Sequence, residues 1–282
     1  MPVKQLSSSL PHRKVMSENN FILIRGGGDL ASGVALRLHR AGIKVVITEL
    51  PRPLAVRRAV SFSEAVYEGS HKVEEVRANL IEADQLSAWN EVDVIPVIVD
   101  PNADILFSGR FCVVVDARLI KQPPAPLPTQ VPLHVGLGPG FCAGRDCHAV
   151  IETRRSHTLG RVYWTGTTQP DNGQPEGDPR RVLRASMSGF ITGLKKIGEH
   201  VEEGDIVAKI EDRFDVISPL TGVVRGLIRD GVNITKGLKI GDVDTRNDPT
   251  ACFLVSDKAL AIGGGVLETI LSIPEIRKSI FL

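Results

Sequence analysis

Three glycines, Gly26, Gly27 and Gly28, followed by Asp29, stand between the apolar run Phe21–Arg25 and a helical stretch reaching about Arg40. Gly26, Gly28 and Ala31 satisfy the pattern G-x-G-x-x-G/A. In that pattern the first glycine permits a tight turn and the second lets the backbone approach a pyrophosphate at a helix N-terminus. The small third residue lets the helix pack on the strand. Glu49 ends the next strand 21 residues after Gly28, where an acid hydrogen-bonds a ribose hydroxyl in dinucleotide sites. Gly26, Gly27, Gly28, Asp29 and Glu49 are therefore candidate contacts for a small phosphate-bearing ligand, NAD(P) or another nucleotide. A glycine turn also joins strand to helix in any doubly wound fold, so a purely structural reading stands beside this one. Arg52, Arg57 and Arg58 lie just beyond Glu49. They read as a solvated surface loop, with reception of an extra phosphate as the other possibility.

Further along, Asp100 and Asp116 close the apolar runs Val94–Asp100 and Phe111–Arg118 at the strand edge where open α/β sheets bind ligands. Asp116 is kept as a candidate contact, whereas Asp100, followed by Pro101, reads as a cap or turn. The segment Gly136–Glu152 brings together Cys142, Asp146, Cys147 and His148. Those are metal-ligand types, but two cysteines with four residues between them and a histidine directly after do not form a recognised structural zinc spacing. Gly138 and Gly140 suggest instead a backbone close to an anionic group, which makes Gly138, Gly140, Asp146 and His148 a second set of candidates. No metal site and no catalytic residue is assigned.

The elements that must position these residues follow from periodicity. Continuous rather than alternating apolar runs, separated by helical stretches, predict a parallel sheet covered on both faces. A proline cluster from Pro123 to Pro132 reads as an irregular connection, and 169–179 reads as a loop by composition. Then 26 residues from Ala185 realign on 26 from Ser218, with Gly189, Gly193, Gly198 and Gly204 falling on Gly222, Gly226, Gly231 and Gly237. Such a repeat predicts two copies of one strand-turn unit burying a shared face, as in biotinyl and lipoyl carrier domains. The tip between the copies holds Asp212, Arg213, Phe214 and Asp215 but no lysine, so no biotin or lipoate attachment is expected.

The expected fold class is α/β: a Rossmann-like parallel-sheet domain plus a β-rich barrel-sandwich-hybrid module that is unmodified. The expected boundaries are a flexible tail at 1–20, a ligand-binding domain at 21–168 with its glycine-rich second segment at 131–166, and the module at 180–245. A C-terminal helical segment at 246–282 is expected to pack back on the first domain. Within it, Ser256–Leu271 reads as two helical pieces around Gly263, Gly264 and Gly265.

Composition bounds the function classes. With 34 basic and 33 acidic residues the net charge is +1, which gives no overall field for nucleic acid or an anionic membrane. No apolar run approaches the roughly 20 residues that span a bilayer, and Met1–Asn20 lacks the apolar segment of a secretory signal. Cys112, Cys142, Cys147 and Cys252 show no disulfide-framework density, which fits a cytoplasmic protein.

The motifs GGGDLASGVA, VDARLIK, GLGPGFCAGRDCHAVIETRRSHTLGRV, VVRGLIRDGV, KGLKIGDVDTR and SDKALAIGGGVLE occur in that order between Phe21 and Leu271. Through them the chain resembles the YqeB family of selenium-dependent molybdenum hydroxylase system proteins. It departs from the family pattern at Cys147, where an aliphatic is usual, and at Arg154, Arg155 and Ser156, where asparagine-arginine-glycine is usual. The resemblance implies a maturation or accessory factor with a molybdenum hydroxylase or its maturation machinery as partner. A distant likeness to XdhC-type chaperones adds the molybdenum cofactor to the candidate ligands. Alternatives are an NAD(P)-dependent oxidoreductase and a non-catalytic interaction scaffold; homo-oligomers are compatible with each.

Overall fold

The computed structural model describes residues 21–173 and 177–281. The expected tail at 1–20 and part of the loop at 169–179 lie outside the described residues.

The apolar runs form strands because β-branched side chains fit a pleated, buried surface. In chain order these are β1 (Phe21–Arg25), β2 (Val45–Glu49), β3 (Ser70–Val73), β4 (Val76–Leu80), β5 (Val94–Val99), β6 (Phe111–Asp116) and β7 (Leu133–Leu137). Shorter strands follow: β8 (Cys142–Ala143), β9 (Ala149–Ile151), β10 (Val162–Tyr163) and β11 (Gly166–Thr167). One nine-stranded sheet has the order β10-β9-β7-β6-β1-β2-β5-β4-β3. Its inner strands are parallel, in register Ile22↔Val45 and Ile22↔Val113, but β3 and β10 run antiparallel at its two edges. The strands β8 and β11 pair separately.

One face of this sheet is covered by helices α1 (Asp29–Arg40), α3 (Asp257–Ser272) and α4 (Pro274–Phe281), with Val34, Leu38, Ile262 and Ile276 in the shared core. A one-turn helix, α2 (Ala65–Glu68), also precedes β3. The other face, with Leu23, Val46 and Val114, is closed by the 3-10 turns Ala83–Ala88 and Asp104–Ser108, through Leu86, Ile105 and Leu106.

The repeat forms β13 (Gly189–Gly193), β14 (His200–Val201) and β15 (Ile206–Ile210) in one copy, and β17 (Gly222–Leu227), β18 (Asn233–Ile234) and β19 (Lys239–Asp244) in the other. Together with β12 (Val182–Arg184) and β16 (Phe214–Ile217) they make two antiparallel sheets, ordered β12-β19-β17-β14 and β16-β15-β13-β18. Each copy lends its short middle strand to the other copy's sheet. The sheets share a core in which the matched positions Ile191 and Val224, Val207 and Ile240, and Ile210 and Val243 are all buried.

These sheets overturn the expected pair of folds, a Rossmann-like parallel-sheet domain plus a barrel-sandwich hybrid. The large sheet is mixed, and among the described residues helices cover one of its faces. The smaller sheets recruit β12 from outside both copies. Continuous apolar runs report burial on both faces; they say nothing of what does the burying, nor of strand direction at an edge.

A second correction concerns α3, which is one continuous helix through Gly263, Gly264 and Gly265. Glycine is a poor helix former, but here packing overrides propensity. A Cβ on Gly263 would lie 2.9 Å from the Gly33 carbonyl oxygen, and one on Gly265 would lie 2.2 Å from that of Gly160. Gly33 in turn faces Ala259, so 33 meets 259 while 37 meets 263. The helices α1 and α3 therefore run in the same direction and open their N-termini at the same end. Ile262, Val266 and Ile270 are fully buried, each contributing roughly 1.5–3 kcal/mol. The stretch Thr250–Ser272 is long and apolar enough by composition to cross a membrane, with a mean hydropathy of 1.4, contrary to the expectation from the sequence. Its apolar face is committed to this core.

Candidate functional site

Gly26 turns the chain after β1 with φ of +94°, a conformation that only glycine adopts at no steric cost. Its N–H donates to the Thr48 carbonyl at 2.7 Å. Gly27 is locked in place: its N–H donates to Glu49 Oε2 at 2.6 Å, and its carbonyl accepts from Ser63 N–H at 2.9 Å. Gly28 is the N-cap of α1, in an extended conformation (φ −66°, ψ −179°), with no side-chain cap. A Cβ there would meet nothing within 4 Å. The first-turn amides of α1 are the donors that a helix cannot satisfy internally, and the helix dipole adds positive potential at this end.

A cleft of about 310 Å³ opens beside this turn at the carboxyl edge of the sheet, lined by Gly28, Glu49, Ser63, Asp100 and Arg118 among others. Glu49 also receives Leu50 N–H on Oε1 at 2.7 Å. Burial raises its pKa, opposed by these two backbone donors. Oε2 thus buttresses the glycine turn through Gly27, while Oε1 is bonded by the neighbouring Leu50 amide. Asp116 is buried under the cleft, bonded by Arg118 Nε at 2.8 Å and Arg118 Nη2 at 2.6 Å, with Arg25 Nη1 at 3.4 Å. Desolvation lowers the Arg25 pKa, with Asp116 opposing the shift. Asp100 accepts from the Asp104 and Ile105 amides at 2.9 Å each, capping the turn that follows. Asp29 lies on the far side of the α1 N-terminus, 3.8 Å from Arg57.

In the second glycine-rich segment Gly136 and Gly140 are packed, whereas a Cβ on Gly138 would make only ordinary contacts and one on Gly144 would meet nothing within 4 Å. A Cβ on Gly140 would lie 2.4 Å from the Ile120 carbonyl oxygen, and one on Gly136 would lie 2.3 Å from the Phe141 ring. Gly138 takes a φ of +90° to turn the chain after β7. Asp146 bonds the Cys142 amide at 2.9 Å and pairs with Arg145, and His148 Nδ1 accepts from the His134 amide at 2.9 Å. Both side chains therefore hold the loop together. Burial pushes the Cys147 thiol up to about 12, which keeps it protonated and inert at neutral pH. The four cysteines are free, and no group of three or more potential metal ligands gathers among the described residues.

Thus Gly26, Gly27, Gly28 and Glu49 come together at one cleft with Asp116 beneath it, while Asp146 and His148 belong to a separate loop, where His148 is exposed. Sequence reasoning missed Arg57, placed on a surface loop but only 7% exposed. Its Nη2 donates to the Ala251 and Leu254 carbonyls at 3.4 and 3.1 Å. Nothing in the local sequence signals this, because its partners lie about two hundred residues away.

Fold and cleft define a β-rich protein of two packed units, with an open glycine turn at the edge of a mixed sheet. No protein-family model matches the chain. It is 44% identical over 260 residues to the uncharacterized protein YqeB of Escherichia coli (strain K12), and the match covers 90% of this chain and 48% of that protein. Over that stretch the chain is similar to YqeB. The chain spans about half the length of this curated relative. Among solved structures, an aspartoacylase family protein from Mesorhizobium loti aligns at 13% identity and a TM-score of 0.27, over 80% of this chain and 84% of that one. A succinylglutamate desuccinylase/aspartoacylase from Rhodobacter sphaeroides aligns at 13% identity and a TM-score of 0.26, over 80% and 85%. Likeness at those TM-scores carries no argument about chemistry.

Proposed function

We propose that the chain is an accessory protein for selenium-dependent molybdenum hydroxylases, and that it holds a small phosphate-bearing ligand at the glycine turn. The ligand class is a nucleotide or a pterin-dinucleotide-type molybdenum cofactor. The maturation role rests on the YqeB resemblance. The ligand reading rests on one observation: Gly28 caps α1 with open space where a Cβ would stand, beside a cleft of about 310 Å³. A phosphate fits there, since the free first-turn amides and the absent side chain allow backbone approach. Arg118 lies at the same cleft, its charge shared with Asp116. Each Glu49 oxygen already accepts one backbone amide, so the ribose hydroxyl of an NAD(P)-dependent oxidoreductase would share those oxygens with the turn.

Gly28→Asp tests this reading. The cleft has room for the side chain and an N-cap tolerates Asp, so the fold is retained, while bulk and negative charge block a phosphate. Native mass spectrometry of the full chain, from a host making the hydroxylase, is expected to show a phosphate-bearing adduct that Gly28→Asp lacks. Hydroxylase maturation should fall with it. Full maturation by the variant, or identical spectra from both proteins, overturns the proposal.

A further inference from the structure

The net charge of +1 conceals a strong local imbalance at the seam between the large sheet and the β module. A groove of about 670 Å³ lies there. Lys121 and Arg154 line it from the sheet side, and Arg181, Arg184 and Lys239 line it from the module. Among the described residues that line it, Asp171 is the one carboxylate, and it is 2.5 Å from Lys121. Buried Asp242 answers two cations, Arg181 at 2.5 Å and Lys239 at 3.0 Å. Arg184 donates to the Gly237 carbonyl at 3.0 Å. No carboxylate among the described residues pairs with Arg154 or Arg184.

The groove runs on, past Leu30, Arg155 and Arg181, into a space of about 750 Å³ where α1 and α3 open their N-termini. Arg57 lines this part with its side chain 7% exposed, and its Nε and Nη1 have no hydrogen-bond partner among the described residues. A guanidinium keeps its charge in any protein environment. Asp29, at 3.8 Å, is too loosely placed to satisfy those two nitrogens. Carboxylates also line this space, but Asp242 and Asp244 each face two cations, Asp257 is held by Arg155 and Asp178 by Arg180.

We propose that this groove is a second ligand site, distinct from the glycine cleft, for a small molecule carrying a chain of linked phosphates. Arg154 and Arg184 are its direct contacts. Arg57 supplies the positive potential at its inner end. A linked chain is indicated because the cations stand on both walls, so a ligand with several charges can bridge the two units. Arginine suits the role, since its planar fork bonds two phosphate oxygens at once.

Isothermal calorimetry of the full chain with inorganic tripolyphosphate and with ATP tests the site. Both are expected to bind, more weakly as salt is raised. Equal affinities identify the phosphate chain alone as the ligand, and tighter ATP binding shows that the groove also takes a nucleoside. The double variant Arg154→Ala/Arg184→Ala changes two exposed side chains and is expected to weaken binding by at least about tenfold. Gly28→Val fills the mouth of the glycine cleft without adding charge and separates the two sites: the binding that survives it and is lost in the double variant belongs to the groove. Wild-type affinity in the double variant, or no binding by the wild type, overturns the groove site. If binding survives in the double variant but is lost in Gly28→Val, the phosphates sit at the glycine turn. The groove proposal then fails while the accessory-protein reading stands.

Discussion

Gly28 and Gly140 both follow strands of the same parallel core, and both lie in glycine-rich turns beyond its carboxyl edge. A Cβ on Gly28 would meet nothing within 4 Å, whereas one on Gly140 would lie 2.4 Å from the Ile120 carbonyl oxygen. The first glycine leaves room for a visitor; the second leaves room for the protein's own backbone. Glycine at a strand end is thus evidence of a close approach, and only the three-dimensional neighbours say what approaches. The same holds for charge. The turn at Gly26–Gly28 is framed by carboxylates already bonded to its own amides and arginines, while the groove beside it gathers cations from both units.

The sharpest way to break this comparison is Gly140→Ala. The clashing partner is main chain, flanked by the Gln122 carbonyl oxygen at 2.8 Å, so no side-chain rotation relieves it. The substitution is expected to cost about 3 kcal/mol of unfolding free energy in urea, at the upper end for overpacking. A loss below about 1 kcal/mol would show that the 120–122 segment yields, and that the second turn is as open as the first.

A smaller effect separates the two regions by pH. His134 lies under the second turn, 7% exposed, with its ring edge-on to Phe141 at 6.1 Å. Burial holds its pKa down to about 4, from an ordinary value of 6.5. The folded state therefore favours the neutral ring. Its contribution is complete above the ordinary value and is lost as pH falls through the window between 6.5 and about 4. Between pH 7 and pH 5 this amounts to about 2 kcal/mol. His134→Leu is expected to flatten the profile over that interval in urea titrations. An unchanged slope would mean that His134 is solvated, and the second turn not closed.

How much of this was legible depends on how far apart the partners lie in the chain. Phe21–Arg25 and Phe111–Asp116 advertise buried strands through uninterrupted apolar residues, and the repeat advertises its own pairing through Gly189 and Gly222. The antiparallel edge strands were hidden, because Ser70–Val73 carries polar residues and Val162–Tyr163 is too short to show a period. The continuity of α3 was hidden as well. Gly263 and Gly265 look like breaks until Gly33 and Gly160 are seen against them. Arg57 reads as a surface arginine because Ala251 and Leu254, which hold it, belong to the far end of the chain. The groove could not be read at all: Arg154 and Arg184 come from different units, and a balanced composition averages them away.

The smallest expected effect is on the open side of the comparison. Gly28 already has the extended backbone of an N-cap, which any residue adopts, and α1 lacks a side-chain acceptor at that position. Gly28→Ser would provide one, its hydroxyl accepting an N–H from the first turn. A gain of a few tenths of a kcal/mol, up to about 0.5, is expected in urea unfolding, because glycine is only slightly poorer than serine as an N-cap. The measurement is informative because it is small. A loss of about 1 kcal/mol or more would mean that something fills the space beside Gly28 even without a ligand, and the distinction between the two turns would collapse. A neutral or positive result leaves glycine unnecessary for folding at this position. Any loss of ligand binding in Gly28→Asp then reports on the cleft and not on the stability of α1.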